Sequence, residues 1–256
     1  MTGFGVLLRK ELAEAWQTRR LPVVAALFIV VGMISPLTAR YLREIMQAAL
    51  GDQLTIPIPA PTAVMAVEQL QKNLAQLGAL AAIALAMGSV AGELDRGTAA
   101  LVLAQPVTRA AFISAKLVAL VIVLGISVAL AAVSAWIYTG VLFEPPRIGG
   151  WLAMTALSWL ALCAWAAITF LASAATGSTT LAAGLGFVAL VAISLGGIVP
   201  AFDRLLPTGL TTPAIVLASG TTSLDAGALF TAVAGTVLLV ALCLGGAILA
   251  FRRREL

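Results

Sequence analysis

Several residues that could carry chemistry gather in one segment, 92–117, which reads GELDRGTAALVLAQPVTRAAFISAKL. Glu93, Asp95 and Arg96 lie close together there, although charged residues make up only 10% of the 256-residue chain. Acidic residues stabilise the N-terminus of a helix that follows them, and Thr98 is of a type that caps helices. The pattern therefore predicts a short helix that begins beside a group of charges.

Composition excludes several kinds of site elsewhere in the chain. The sequence has no histidine, which excludes Ser-His-Asp triads, histidine-ligated haem and most zinc sites. A nucleotide-binding P-loop needs G-x-x-x-x-G-K-[ST], and none of Lys10, Lys72 and Lys116 follows such glycines. Cys163 and Cys243 fall in apolar runs and are expected to be packing residues. We therefore expect no enzyme activity, cofactor or metal, and ATP could drive the protein only through a partner.

The proportions of apolar and charged residues indicate a membrane protein. Hydrophobic residues make up 61% of the chain, and the mean hydropathy is +1.08. Charged residues make up about a quarter of a typical soluble domain. This chain has too few of them to cover its surface with polar groups. The apolar content is also too high for a disordered chain.

Six apolar stretches have about the length, roughly 20 residues, that a helix needs to cross the hydrocarbon core of a bilayer. They are predicted at about 21–39, 73–92, 117–142, 148–172, 181–201 and 228–251. A polar sequence, SAATGSTT at 173–180, separates the fourth stretch from the fifth and predicts a tight turn. The apolar but Pro- and Gly-broken segment before the sixth is predicted to be a short extracellular re-entrant or capping segment. The whole chain, 1–256, is thus predicted to be a single all-α transmembrane domain.

The positive charges predict an orientation for these six spans. If both termini are cytoplasmic, the inner segments hold ten of the Lys and Arg residues and the outer segments five. The positive-inside rule therefore favours cytoplasmic N- and C-termini. The net charge of +4 is explained by this topology, so a nucleic-acid partner is not expected.

The first residues, about 3–20, are predicted to form an interfacial helix. Phe4, Leu8, Leu12 and Trp16 recur at every fourth position, which places them on one helical stripe. Such a helix can lie among membrane lipid headgroups with its apolar face down. The alternative is a solvated N-terminal tail.

The 93–116 segment is then predicted to be a cytoplasmic loop between the second and third spans. Pro106 ends its short helix, because proline lacks the N–H that continues a helix. Thr108 is well placed to cap the third membrane helix. Arg109 and Lys116 in the first turns of that helix are expected at the level of the headgroups. The loop therefore predicts a short helix across the cytoplasmic mouth of the bundle.

This loop resembles the membrane subunits of ATP-binding-cassette (ABC) transporters of the type-2 exporter class. The residues that carry the resemblance are Glu93, Gly97, Thr98, Leu101, Leu103, Pro106, Arg109, Phe112 and Lys116. The interfacial helix, the six spans and the apolar segment before the last span extend the resemblance loosely to the whole chain.

The resemblance implies a permease subunit driven by a separate soluble ATPase subunit. The 93–116 loop would be the coupling loop that docks into a cleft of that ATPase. The residues expected to couple to the ATPase are Glu93, Asp95, Arg96, Gly97, Thr98, Leu101, Pro106 and Arg109. Two permease subunits, identical or paralogous, would pair in the cell (plasma) membrane, and substrate would move outward between them. Drugs, peptides, ions and lipid-linked molecules all stay open as cargo.

Two other functions are compatible with a multi-span chain. A gradient-driven secondary carrier usually keeps an ionisable group at membrane depth, and no predicted span has one in its interior. Backbone carbonyls can replace such a group, so the carrier stays open. A non-transporting membrane scaffold is also open, because no substrate-binding group stands out. The 93–116 loop would then be only a solvated connection.

Overall fold

The computed structural model describes residues 3–50, 60–105, 107–220 and 224–253. These ranges contain helices and no strand, which confirms the predicted all-α class. The helices are α1 (Phe4–Gln17), α2 (Arg20–Arg40), α3 (Leu42–Leu50), α4 (Ala63–Asn73), α5 (Ala79–Met87), α6 (Ala91–Asp95), α7 (Thr98–Leu103), α8 (Arg109–Leu142), α9 (Ile148–Thr176), α10 (Thr179–Gly196), α11 (Pro200–Asp203), α12 (Thr211–Ser219) and α13 (Ala226–Arg252). A π-helical turn, Leu74–Gly78, joins α4 to α5, and a 3₁₀ turn, Pro207–Leu210, precedes α12.

Six helical stretches among the described residues are long and apolar enough to cross a membrane, as the sequence predicted. They are Arg20–Arg40, Ala63–Asp95, Arg109–Leu142, Ile148–Thr176, Thr179–Gly196 and Ala226–Arg252. The second begins at Ala63 rather than at residue 73, because α4 runs on into α5 through the π-helical turn. The Thr62 hydroxyl caps its start and accepts a hydrogen bond from the Met65 N–H.

Helices α8 and α9 form the centre of the bundle. Helix α8 packs against α1, α2, α9 and α13, and α9 packs in addition against α5, α10 and α12. Phe112 on α8 and Met154 and Phe170 on α9 are fully buried in this core. Glycine and alanine bring the backbones close together: Gly32 on α2 lies directly against the Ala131 carbonyl of α8. Such small residues are typical of helix contacts in membranes.

The turn between α9 and α10 confirms the tight turn predicted at 173–180. Gly177 ends α9 with φ of 67°, a left-handed conformation that glycine adopts without strain. The Ser178 hydroxyl then accepts a hydrogen bond from the Leu181 N–H and begins α10.

The segment before the last span folds back onto the bundle. Its helices α11 and α12 and the 3₁₀ turn cover residues 200–219, and α12 packs against α9 and α4. Leu210 and Ala214 are fully buried. Close approach requires a glycine here, because a side chain on Gly150 of α9 would collide with the Leu217 carbonyl. The segment therefore covers the N-terminal end of α9.

Helix α1 packs on the bundle with part of its predicted apolar stripe. Phe4 and Leu8 lie against the hydrophobic core, and Leu7 between them is buried. Trp16 at the other end of the stripe is 65% exposed. The first turns of α1 thus face α8, with which the helix also forms an ion pair between Glu11 and Lys116.

Candidate functional site

Five charged side chains from three parts of the chain meet at one end of the bundle. Helix α1 contributes Lys10, Glu11 and Glu14, α6 contributes Glu93, and the second turn of α8 contributes Lys116. We call this group the ionic cluster. It lies where the predicted coupling loop enters and leaves the membrane helices.

Glu93 and Lys116 form the buried centre of the ionic cluster. The Lys116 Nζ lies 2.7 Å from the Glu93 Oε1, and both residues are only 4% exposed. Lys116 Nζ also lies 3.0 and 3.1 Å from the two carboxylate oxygens of Glu11. Helix α1 is thereby joined to α6 and α8 through a single ammonium group.

Lys10 forms the outer part of the cluster. Its Nζ lies 3.0 Å from Glu93 Oε1, 3.2 Å from Glu11 Oε1 and 3.2 Å from Glu14 Oε2. Burial alone would lower the pKa of Lys10, but the Glu93 and Glu11 carboxylates outweigh burial and raise the pKa above its usual value. A raised lysine pKa gives stability that is present below the usual pKa of 10.5 and is lost only at higher pH. The Lys10 ion pairs are therefore complete at physiological pH.

The cluster also makes contact with the last helix. Lys116 Nζ lies 5.0 Å from the centre of the Phe112 ring, a cation–π distance, and Phe112 stacks on Phe251 of α13 at 5.4 Å. Arg109 donates hydrogen bonds to the backbone carbonyls of Phe251 and Arg252, at 3.3 and 3.1 Å. The positive charge of Arg109 also complements the partial negative charge at the carboxyl end of α13. The start of α8 thus connects the cluster to the C-terminal helix.

Ser173 of α9 supports the break between α5 and α6. Its hydroxyl oxygen accepts hydrogen bonds from the N–H groups of Val90 and Ala91, at 3.3 and 3.0 Å, and donates to the Met87 carbonyl at 2.8 Å. These backbone groups lie where the α5 hydrogen bonds end and α6 begins. Sequence reasoning assigned Ser173 only to the turn after the fourth span, since nothing local indicates a partner more than 80 residues away.

We expect the Ser173→Ala variant to lose roughly 1–3 kcal/mol of stability, because the buried N–H groups of Val90 and Ala91 would lose their acceptor. Thermal unfolding of the purified protein in detergent would measure the loss. Thr231→Ala is the matched control, since this exposed hydroxyl only bonds to carbonyls of its own helix. Equal melting temperatures for the two variants would contradict the role given to Ser173.

The predicted coupling residues take different positions around the cluster. Asp95, Arg96 and Gly97 are exposed, and Gly97 turns the chain between α6 and α7 with φ of 69°. Thr98 is half-buried and donates a hydrogen bond to the Glu93 carbonyl at 3.3 Å. Glu93, by contrast, directs its carboxylate into the protein. A contact between Glu93 and a partner protein stays a prediction. Within this chain, Glu93 forms ion pairs with Lys10 and Lys116.

The remaining members of the predicted set lie at the end of the short helix and beyond it. Leu101 is part of α7. Pro106 lies outside the described residues. Arg109 begins α8, where the Thr108 hydroxyl accepts a hydrogen bond from the Ala111 N–H at 3.1 Å, which confirms the predicted cap. Helix α7 corresponds to the short helix predicted from about residue 99.

Carboxylate oxygens of Glu11, Glu14 and Glu93 lie within 4.8 Å of one another, close enough to share a metal ion. The ammonium groups of Lys10 and Lys116 already lie between them, at ion-pair distances. Two ammonium groups in that position would repel a metal ion. The arrangement is suited to joining helices and not to holding a metal.

A second polar group lies nearer the other end of the bundle, around the π-helical turn. The Ser158 hydroxyl donates to the buried Gln71 side-chain oxygen, and the Asn73 amide donates to the Ser35 hydroxyl, both at 2.8 Å. A cavity of about 130 Å³ lies beside Gln71 and Ser158, between α9, α10 and the 3₁₀ turn. π-helical turns often occur at functional sites. Sequence reasoning named no residue of this group.

Comparison with known proteins identifies the family. Residues 6–208 match the family model described as ABC-2 family transporter protein. The chain is also 30% identical over 207 residues to an uncharacterized transmembrane protein of Bacillus subtilis (strain 168), YxlG, across 79% of this chain and 77% of that protein. The region that matches the family model includes most of α1, the ionic cluster and helices α6 and α7.

An ABC-2 permease is the membrane component of a transporter that associates with an ATP-binding ATPase subunit. The six candidate membrane helices agree with that family. This chain therefore belongs to the ABC-2 transporter family, as a multi-pass membrane permease component of an ABC transporter.

Proposed function

We propose that the turn Asp95–Gly97 and helix α7 dock on a separate ATPase subunit and transmit its movement to the membrane helices. One contrast supports this proposal. Asp95 and Arg96 are exposed at the turn, whereas Glu93, two residues before Asp95, is buried in the ionic cluster. A force applied at the turn would therefore reach α1 and α8 directly, through Glu93, Lys116 and Glu11.

In this mechanism α6 and α7 act as a lever. ATP binding closes the ATPase subunits, and α7 moves with the subunit on which it docks. The ionic cluster moves α1 and the start of α8 with it, and Arg109 transmits the movement to the end of α13. Two permease chains, identical or paralogous, open a path between them for a substrate that moves outward across the cell membrane. The N- and C-termini lie on the cytoplasmic side, where the ATPase docks.

The test combines a charge reversal at the turn with a matched control. Asp95→Lys with Arg96→Glu is expected to weaken binding of the ATPase about tenfold, because each new charge would face a like charge on a complementary partner. The probe is a soluble P-loop protein, if a neighbouring open reading frame encodes one, and its copurification and its stimulated ATP hydrolysis are measured. Both residues are exposed, so the melting temperature of the permease should not change.

Glu144→Lys with Arg147→Glu is the control for this experiment. It reverses one acidic and one basic residue, both exposed, in the connection between α8 and α9. That connection follows the far end of α8, a helix of 34 residues, so the ATPase should bind this variant normally. If the Asp95/Arg96 variant binds and stimulates the ATPase as well as the control does, the turn is not the docking site.

A further inference from the structure

A groove of about 560 Å³ lies between the start of α2 and helices α5 and α6. Its volume falls in the range of roughly 300–1,000 Å³ that is typical of ligand sites. The cavity beside Gln71 and Ser158 is much smaller, at about 130 Å³. None of the five side chains of the ionic cluster lines the groove. The groove shares two residues with the proposed coupling elements, Gly92 of α6 and Arg96 of the turn after it.

One end of the groove is strongly positive. Arg19, Arg20 and Arg96 line it there, and among the described residues that line the groove none is acidic. None of the three arginines forms an ion pair with another described residue. The Arg96 guanidinium extends over Gly92, with Nη2 3.9 Å from the position that a side chain on Gly92 would take. Three guanidinium groups thus border one pocket, and Arg20 also borders a neighbouring cavity that Glu11 and Glu14 line.

The rest of the groove is apolar. Val23 and Leu27 of α2 form one wall and are 64% and 44% exposed. Ala84 and Leu85 of α5 form the other wall, and Gly88 leaves the floor without a side chain. An occupant that matches both ends must join an anionic group to a hydrocarbon chain.

We propose that this groove binds one anionic phospholipid. Its phosphate lies at Arg19, Arg20 and Arg96, and part of an acyl chain lies along Val23, Leu27 and Ala84. Arginine binds phosphate through a planar fork of N–H donors, and arginines at the ends of membrane helices lie at the depth of the headgroups. The apolar walls distinguish this occupant from a soluble phosphate, which would gain nothing from them. Arg96 also belongs to the turn proposed to dock on the ATPase, but Arg19 and Arg20 lie outside helices α6 and α7, so the site can be tested separately from the coupling mechanism.

Native mass spectrometry of the full-length protein in mild detergent tests the proposal, with palmitoyl-oleoyl phosphatidylglycerol as the probe. We expect phosphatidylglycerol to bind more tightly than phosphatidylcholine with the same chains. Arg19→Gln with Arg20→Gln should weaken phosphatidylglycerol binding about thirtyfold, from the usual contribution of each basic residue at an anionic lipid surface. Arg40→Gln with Arg43→Gln removes the same charge at the far end of α2 and should leave binding unchanged.

A second variant keeps all the arginines and fills the apolar wall. Ala84→Phe places a ring where the acyl chain would lie, on an exposed position of α5, and should also weaken phosphatidylglycerol binding. Equal binding of the two lipids to the wild-type protein would overturn the proposal. So would displacement of phosphatidylglycerol by an equal concentration of inorganic phosphate, or a disulfide between two copies of a Val23→Cys variant, which would show a second chain in the groove.

Discussion

The Lys116→Met variant is expected to lose roughly 3 kcal/mol of stability, the lower end of the range for breaking a buried ion pair. The substitution keeps an unbranched apolar stem of similar volume but removes the ammonium group, which leaves Glu93, at 4% exposure, with Lys10 as its remaining cation. Three carboxylates would then share one ammonium group. Helix α1 would also lose the contact that joins Glu11 to α8. Denaturant titration of the purified protein in detergent micelles measures the change.

Two further variants separate the ion pair from a general effect of losing a lysine. Adding Glu93→Gln to Lys116→Met should restore part of the stability, because it removes the carboxylate that the first change leaves uncompensated. Lys72→Met is the control, since Lys72 is exposed and forms no ion pair with any other described residue. It should change stability by less than about 0.5 kcal/mol. A double variant as unstable as the sum of the two single variants would show that the pair is not coupled.

The Gly32→Leu variant is expected to cost about 3 kcal/mol, at the upper end of the range for overpacking a core. A side chain on Gly32 would collide with the Ala131 carbonyl and the Ser134 hydroxyl of α8. Backbone atoms of a central helix cannot move aside as the end of a flexible side chain can. The Ser134 hydroxyl also donates a hydrogen bond to the Ile29 carbonyl at 3.2 Å, so separation of the helices would break that bond.

Gly184→Leu provides the matched control for this change. Gly184 is an exposed glycine within α10, and no neighbouring atom lies within 4 Å of the position that its side chain would take. The same substitution there should leave stability unchanged or slightly higher, because leucine favours helix more than glycine does. Equal losses for the two variants would show that the contact between α2 and α8 does not require a glycine.

The buried Glu93 and Lys116 bear on the alternative of a gradient-driven carrier. Such carriers keep ionisable groups at the depth of the hydrocarbon core. This pair instead lies at the end of the bundle, next to the exposed Asp95 and Arg96, and its two members also form ion pairs with Lys10 and Glu11. Membership of the ABC-2 family agrees with an energy source on another chain.

Local patterns in the sequence were sufficient to predict the membrane helices themselves. The length of each apolar run predicted six membrane helices, because crossing a bilayer sets a minimum length for a helix. Thr108 predicted where α8 begins, and the small polar residues at 173–180 predicted the turn between α9 and α10, since caps and tight turns depend only on neighbouring residues. The family resemblance of the 93–116 loop was likewise visible in consecutive residues.

Contacts between distant residues were decided only by the tertiary structure. Asp95 and Glu93 are similar and nearly adjacent in the sequence, yet one is exposed and the other is buried against Lys116. The difference depends on the direction in which α6 presents each side chain to α1 and α8. Composition and periodicity alone therefore determine a six-span membrane chain with a charged loop. Packing decides which of those charges join the helices and which face outward, because a charge is buried only where an opposite charge lies within reach.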